Sequence, residues 1–125
     1  MSTTSYIDGQ LLAAALTKGT YTGGNVYVAL YSVSPTSGSS GTELSGNGYA
    51  RPLATFTVSG TTANNSVSSS FAANGANWAT AVAVGIVDAS TSGNILFYQT
   101  LTPNQTLRNG DSLVFGANAI SISLS

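Results

Sequence analysis

The ionic side chains of this 125-residue chain are few: Asp8, Glu43, Asp88 and Asp111 against Lys18, Arg51 and Arg108, with no histidine and no cysteine. Without histidine the usual general base near neutral pH and the commonest metal ligand are missing, and no Ser/His catalytic arrangement can form. Without cysteine there is no disulfide framework and no thiolate metal site. Carboxylate chemistry of the glycosidase kind needs two acids to converge. Asp8 falls where a helix begins and suits a capping role, Glu43 falls in a loop, and Asp88 and Asp111 stand beside turn residues. There, hydroxyl and amide partners account for them equally well. The glycines of "GTYTGGN" lack the Lys-Ser/Thr that ends a phosphate-binding loop, and no calcium loop with alternating Asp is present. The expectation is a protein that is not an enzyme and holds neither cofactor nor metal.

Three dispersed cations make no nucleic-acid footprint, and a net charge of −1 sets up no field toward nucleic acid or an anionic membrane. Arg51 is the most informative cation, between Tyr49 and Pro52 where a polar loop re-enters a strand. It has two readings of equal weight: pairing with a carboxylate or stacking on Tyr49, and anchoring an interface, since Arg and Tyr are enriched in hot spots. Trp78 precedes an apolar strand, where a core plug is favoured over a sugar-stacking platform. Tyr27, Tyr31 and Tyr98 belong to sheet packing. The sequons at Asn64 and Asn104 read as chance matches in a chain so rich in Asn, Ser and Thr.

These residues need a scaffold, and composition bounds it. Charged residues are 6% of the chain, far below the roughly 25% of typical globular proteins, while hydrophobic residues at 42% are ordinary. Ser, Thr, Asn and 14 Gly have taken the place of charge. Such a near-neutral, hydroxyl-rich surface favours association over mutual repulsion. The length suits one domain, 1–125. No basic segment precedes an apolar run at the N-terminus and no run approaches the ~20 residues that span a bilayer, so neither a secretion signal nor a membrane partner is expected.

The periodicity predicts one short N-terminal helix over about 5–18. Ser5 and Asp8 resemble a capping box, Ile7, Leu11, Leu12, Ala15 and Leu16 form an apolar stripe, and Gly19 suits the left-handed residue past the end. From Val26 the period changes to two. Strands are predicted at "VYVALY", apolar on both faces, at residues 50–58 with Ala54, Phe56 and Val58 on one face, and near 66–71 with Val67 and Phe71 inward. Others follow at "ATAVAVGIVD", "NILFYQT", "DSLVF" and "AISISLS", the last alternating Ile120, Ile122 and Leu124 with Ser121, Ser123 and Ser125. Asn-Gly pairs at Asn47, Asn74 and Asn109, with "TSGN" and "TPN", mark turns. The fold class is mainly β: an antiparallel β-sandwich, jelly-roll or Ig-like. Its candidate core is Val28, Leu30, Phe56, Trp78, Val84, Ile86, Phe97, Phe115 and Ile122. The small face at residues 81–85, with Gly85, would admit the helix or another sheet. A loop over about 34–48, "SPTSGSSGTELSGN", crosses within the sandwich, and its Glu43, Leu44, Tyr49 and Arg51 are the candidate interface toward a neighbouring subunit.

Taken in order, "VYVALY", "PT", "GTE" and "GYAR", then Trp78, "VGIVDA", "GNILF" and "GDSLVF", resemble the blocks of small virion structural proteins of tailed bacteriophages, from about Tyr6 to Leu124. The resemblance implies a non-enzymatic virion part, assembled in the host cytoplasm, with relatives described as head-associated or as tail and fibre proteins. The leading expectation is a capsid cement or decoration protein, a dimer or trimer that binds the major capsid protein and other virion subunits. The alternative is a tail, baseplate or fibre component that recognises a host surface glycan.

Overall fold

The run that is apolar on both faces becomes the centre of the molecule. In the computed structural model, which describes residues 1–124, it forms strand β2 (Val26–Val33), and Val28, Ala29, Leu30 and Tyr31 are all buried. β2 pairs antiparallel with β8 (Ala81–Val87), β8 pairs with β9 (Ile95–Gln105), and β1 (Ser2–Thr3) lies on the outer edge of β9. The other flank of β2 is shared by β3 (Thr42–Glu43) and β4 (Leu53–Ala54). Two smaller sheets complete the fold: β5 (Phe56–Ser59), β6 (Thr62–Asn65) and β11 (Ser121–Ser123) in one, β7 (Ser69–Ala72) and β10 (Ser112–Phe115) in the other. The result is an antiparallel β-sandwich with one short helix, α1 (Ser5–Leu16).

The main core fills the space between the sheets. Val28, Leu30, Val84 and Ile86 of the large sheet meet Phe71, Ile120 and Ile122, with Trp78 and Leu107 closing one side. Of the core expected from sequence, Val28, Leu30, Trp78, Val84, Ile86 and Ile122 are buried, while Phe56, Phe97 and Phe115 pack against the cluster from partly exposed positions. The opposite face of the large sheet carries a second cluster of Ala29, Tyr31, Ala83 and Val87. The small residues there make room for Tyr31 rather than for a helix. A methyl group built on Gly85 would stand 2.8 Å from Cε2 of the Tyr31 ring, which is itself buried.

Several elements depart from the sequence pattern, each for a local reason. The strand expected over 50–58 breaks at Thr55 because the chain changes sheets there: β4 pairs with β2 and β5 with β6. Ala54 is therefore buried while Val58 is exposed. β6, a strand without apolar alternation, is created by a two-residue turn at Gly60–Thr61, with Gly60 at φ +61° and Ser59 opposite Thr62. The strand expected near 66–71 is β7, which leaves Val67 outside. "TPN" lies within β9 instead of ending it. Beyond β11, Leu124 is exposed, and Ser125 lies outside the described residues.

The helix begins one residue earlier than its capping box suggests. Thr4 is the N-cap, its Oγ1 accepting from the Ile7 N–H and donating to the Ile95 carbonyl at 2.6 Å, and Asp8 sits in the first turn near the positive end of the helix dipole. Past the helix it is Lys18, at φ +59°, that takes the left-handed conformation expected of Gly19. Only Ile7 of the apolar stripe is buried.

Replacing Gly85 by Ala forces the Tyr31 ring or the β8 backbone to move, an overpacking cost of about 1–3 kcal/mol. Urea denaturation should show the lowered midpoint; an unchanged midpoint would remove the close contact.

Candidate functional site

β2 is paired without interruption by β8 from Tyr27 to Tyr31 on one side, but on the other side its neighbour is interrupted. β3 accompanies the far part of β2, with Tyr31 opposite Glu43, and the Leu44 N–H continues the ladder to the Leu30 carbonyl at 3.0 Å. The chain then leaves the sheet and returns at Pro52, whose carbonyl accepts from the Val28 N–H at 3.0 Å, just before β4. Between these two points the buried Leu30 N–H faces a gap. A buried amide left unpaired costs about 1–3 kcal/mol.

The gap is filled by a side chain. The hydroxyl of Tyr49 accepts from the Leu30 N–H at 3.1 Å and donates to Oε2 of Glu43 at 2.5 Å. Glu43 in turn accepts from Arg51, Oε2 from Nε at 2.8 Å and Oε1 from Nη2 at 2.7 Å, the two-pronged geometry that suits guanidinium and carboxylate. The remaining nitrogen, Nη1, donates to the carbonyls of Ala89 and Ser92 at 2.7 and 2.8 Å. Those carbonyls belong to the turn between β8 and β9, where Ser92 and Gly93 both have positive φ and Asp88 accepts from the Asn94 backbone N–H at 2.6 Å. Arg51 thus ties the excursion after β3 to the β8–β9 turn. Its side chain is 9% exposed and that of Glu43 26%.

The ring of Tyr49 is held as firmly as its hydroxyl. It stacks on Phe71 at 5.9 Å and meets Trp78 edge-on at 5.5 Å, with Phe71 and Trp78 also edge-to-face at 6.3 Å. Trp78 donates its indole N–H to the carbonyl of Asn47 at 2.8 Å, and Asn74 donates its backbone N–H to the same oxygen at 2.9 Å. The Asn47-Gly48 pair, both at positive φ, turns the excursion so that this carbonyl faces inward.

Burial shifts the ionisation of each group in this cluster, and the neighbours decide the outcome. Desolvation pushes the Glu43 carboxyl up, but the hydrogen bonds from Arg51 and Tyr49 and the charge of Arg51 together hold it below its ordinary 4.5. The bond to Glu43 raises Arg51 further despite its burial. Tyr31 is pushed up to about 12, chiefly by burial and then by the nearby Glu43, and Tyr49 is raised by burial and by its bond to Glu43.

All four candidate interface residues therefore make contacts inside the chain. Leu44 is buried in the main core, and Glu43, Tyr49 and Arg51 form one hydrogen-bonded unit. The segment expected as a bare loop over 34–48 holds a bridge between Thr36 and Ser39 and the strand β3. A cleft of about 440 Å3 opens beside the unit, lined by Glu43, Tyr49, Ala50, Arg51 and Ser90 to Ser92. With four of the five guanidinium N–H groups engaged, Arg51 has little left with which to hold an anion there. Asp111 accepts from the Arg108 backbone N–H at 3.0 Å, a local turn contact. Among the described residues no three His, Cys, Asp or Glu side chains gather to hold a metal.

Sequence reasoning missed Asn65. It is fully buried, its Nδ2 donates to the carbonyls of Val67 and Gly116, and its Oδ1 accepts from the Ile120 N–H at 2.8 Å, which fastens β6 to the approach of β11. The one signal for it was an amide in a short polar run that lacks an apolar partner.

A family model for the podophage GP4 fiber I protein gp80 matches residues 2–123, nearly the whole chain. The chain belongs to that family. It is a structural protein of the virion of a tailed phage, in a fibre-associated family. The matched span takes in α1, the whole excursion with Glu43, Tyr49 and Arg51, and the strands on both sides of it. No curated protein matches the chain.

Two consequences follow from the clamp. Tyr49→Phe keeps the ring but removes the acceptor for Leu30, so it should cost about 1–3 kcal/mol in chemical denaturation; a cost near zero would mean that the hydroxyl is dispensable. Glu43 is held below its ordinary value when folded, so the stability it contributes is present above about pH 4.5 and is lost as pH falls through the lowered value. Melting followed from pH 7 to pH 3 should therefore fall more steeply in the native protein than in Glu43→Gln, and parallel curves would contradict the linkage.

Proposed function

We propose that this chain is a non-enzymatic building block of the tail-fibre apparatus, held by contacts with other virion proteins. The family match carries the reading, because its description is that of a fibre protein. Capsid cement, with the major capsid protein as partner, rests on small size and a neutral surface, and a fibre module shares both. The internal arrangement of the polar groups supports a structural role: Glu43, Asp88 and Asp111 each satisfy a nearby N–H donor of the fold.

Recognition of a host glycan is the less supported part of the tail reading. Sugars stack on exposed aromatic faces, and Trp78 and Tyr31 are buried and Tyr49 is sandwiched in the core cluster, which leaves Tyr6 on α1 as the more exposed aromatic. What the surface does offer is exposed aliphatic area on α1 and at one end of the sandwich, which suits assembly with protein.

Immunogold labelling of intact virions tests the location. The expected result is label on the fibres or the tail to which they attach; label over the head shell would restore the cement reading and sink this one.

A further inference from the structure

The three Asn-Gly pairs that mark turns in the sequence come together at one end of the sandwich, where hydrogen bonds link their loops. Asn47, Asn74 and Asn109 are all exposed. Asn-Gly is a pair that can react with itself. Glycine has no side chain to crowd its nitrogen, so that nitrogen, once deprotonated, can attack Cγ of the preceding asparagine. A C–N bond forms, the Cγ–Nδ2 bond breaks, and ammonia leaves with a proton. Water then opens the cyclic imide at either carbonyl, giving aspartate or its β-linked isomer. The net change is amide plus water to carboxylate plus ammonium.

Ring closure turns the glycine nitrogen onto the asparagine side chain, and each pair is held against that turn. The Asn47 carbonyl accepts from the Trp78 indole at 2.8 Å and from the Asn74 N–H at 2.9 Å, which fixes the Asn47–Gly48 peptide. The Gly110 N–H donates to the Ala73 carbonyl at 2.9 Å, and the Asn109 N–H donates to Oδ1 of Asn77 at 2.9 Å. Among the described residues the Gly75 N–H has one hold, Oδ1 of Asn109 at 2.9 Å. The holds are mutual: Ala73 and Asn74 restrain the other two pairs, and Asn109 restrains Gly75. They are also unequal. Trp78 and Ala73 are buried, at 6% and 3% exposure, whereas the guard of Gly75 is an exposed side chain. Exposed contacts of this kind open more often than those made in a core.

We propose that Asn74 is a site of self-deamidation gated by the side chain of Asn109. While Oδ1 of Asn109 holds the Gly75 N–H, the amide persists. When that contact opens, Asn74 cyclises, and the β-linked product lengthens the main chain by one carbon beside Gly75. The same segment carries the Asn74 N–H and the Ala73 carbonyl, so the restraints on Asn47 and on Gly110 loosen in turn. Asn47 stands two residues before Tyr49, and its carbonyl anchors Trp78, so the change reaches the clamp. A passing opening of this end of the sandwich is thereby made lasting. The reaction needs only water and does not depend on where in the virion the protein sits.

The test follows the full chain at mildly alkaline pH, folded and in urea, with initial rates read by peptide mapping and mass spectrometry. Each pair is compared with itself. All three should react more slowly in the folded protein than in urea, and the slowing should be least at Asn74. Asn109→Ala removes the guard and should speed Asn74 by about two- to tenfold, the rise in open population expected from losing one net hydrogen bond. Asn109→Asp keeps an oxygen that can accept from Gly75 and should leave Asn74 slow. The proposal is overturned by a folded Asn74 that is slowed as much as Asn47 and Asn109, or not slowed at all. It is equally overturned if Asn109→Ala leaves the Asn74 rate unchanged, or if Asn109→Asp raises it as much as Asn109→Ala does. A rise in Asn109→Ala that is the same at Asn47 as at Asn74 would mean general unfolding in place of a local guard, and would also overturn it.

Discussion

The fold depends on how one buried amide is satisfied. β2 is the strand on which both layers of packing rest, and the chain beside it departs from the sheet where the Leu30 N–H needs an acceptor. A backbone carbonyl would normally fill that place. Here the Tyr49 hydroxyl does so from an excursion that is otherwise polar and glycine-rich, and it is oriented to do so because Glu43 accepts its hydrogen bond and Arg51 fixes Glu43. A hydroxyl both gives and takes a hydrogen bond, which lets it stand between a donor and a carboxylate; phenylalanine in the same ring position would do neither.

This arrangement accounts for where a chain so poor in charge places the little it has. Among the described residues the one ion pair is Arg51–Glu43, and it joins three segments remote in sequence: β3, the return of the excursion, and the β8–β9 turn. Buried pairs contribute less to net stability than their short distances suggest, because desolvation opposes them. Their stronger effect is on specificity. Once Glu43 is opposite Tyr31, the register of β3 on β2 is set, and a slip of one residue would turn the carboxylate away from both Tyr49 and Arg51. The aromatic cluster of Tyr49, Phe71 and Trp78 extends this order into the core between the sheets.

The strands with strict period two were legible in the sequence, because burial of alternate residues leaves that pattern: Val28 and Leu30, Val84 and Ile86, Ile120 and Ile122. The sandwich class followed from them and from the turn residues. β6 was not legible, since its inward groups are Asn65 and small residues, and a satisfied polar side chain leaves no hydrophobic period. The break at Thr55 was hidden for the opposite reason: alternation continues through it while the chain changes sheets. At the site, Glu43, Leu44, Tyr49 and Arg51 stood out by type, but sequence spacing does not say whether such residues face a neighbour or their own chain. The structure turns them inward, and leaves outward the leucines of α1, which the helical period had assigned to a core.

A virion part of this kind gains from keeping its few ionic groups satisfied within the fold and from carrying apolar patches on an otherwise hydroxyl-rich surface, since those patches are then free for contact with other subunits. The claim on which the account stands is that Tyr49 completes the ladder of β2. Amide hydrogen exchange, resolved by residue with NMR in the native protein and in Tyr49→Phe, tests it most directly. The account predicts that Leu30 and Val28 are similarly protected in the native protein, and that in the variant protection falls much further at Leu30 than at Val28, whose acceptor is the Pro52 carbonyl. Equal protection of Leu30 in both proteins would contradict it.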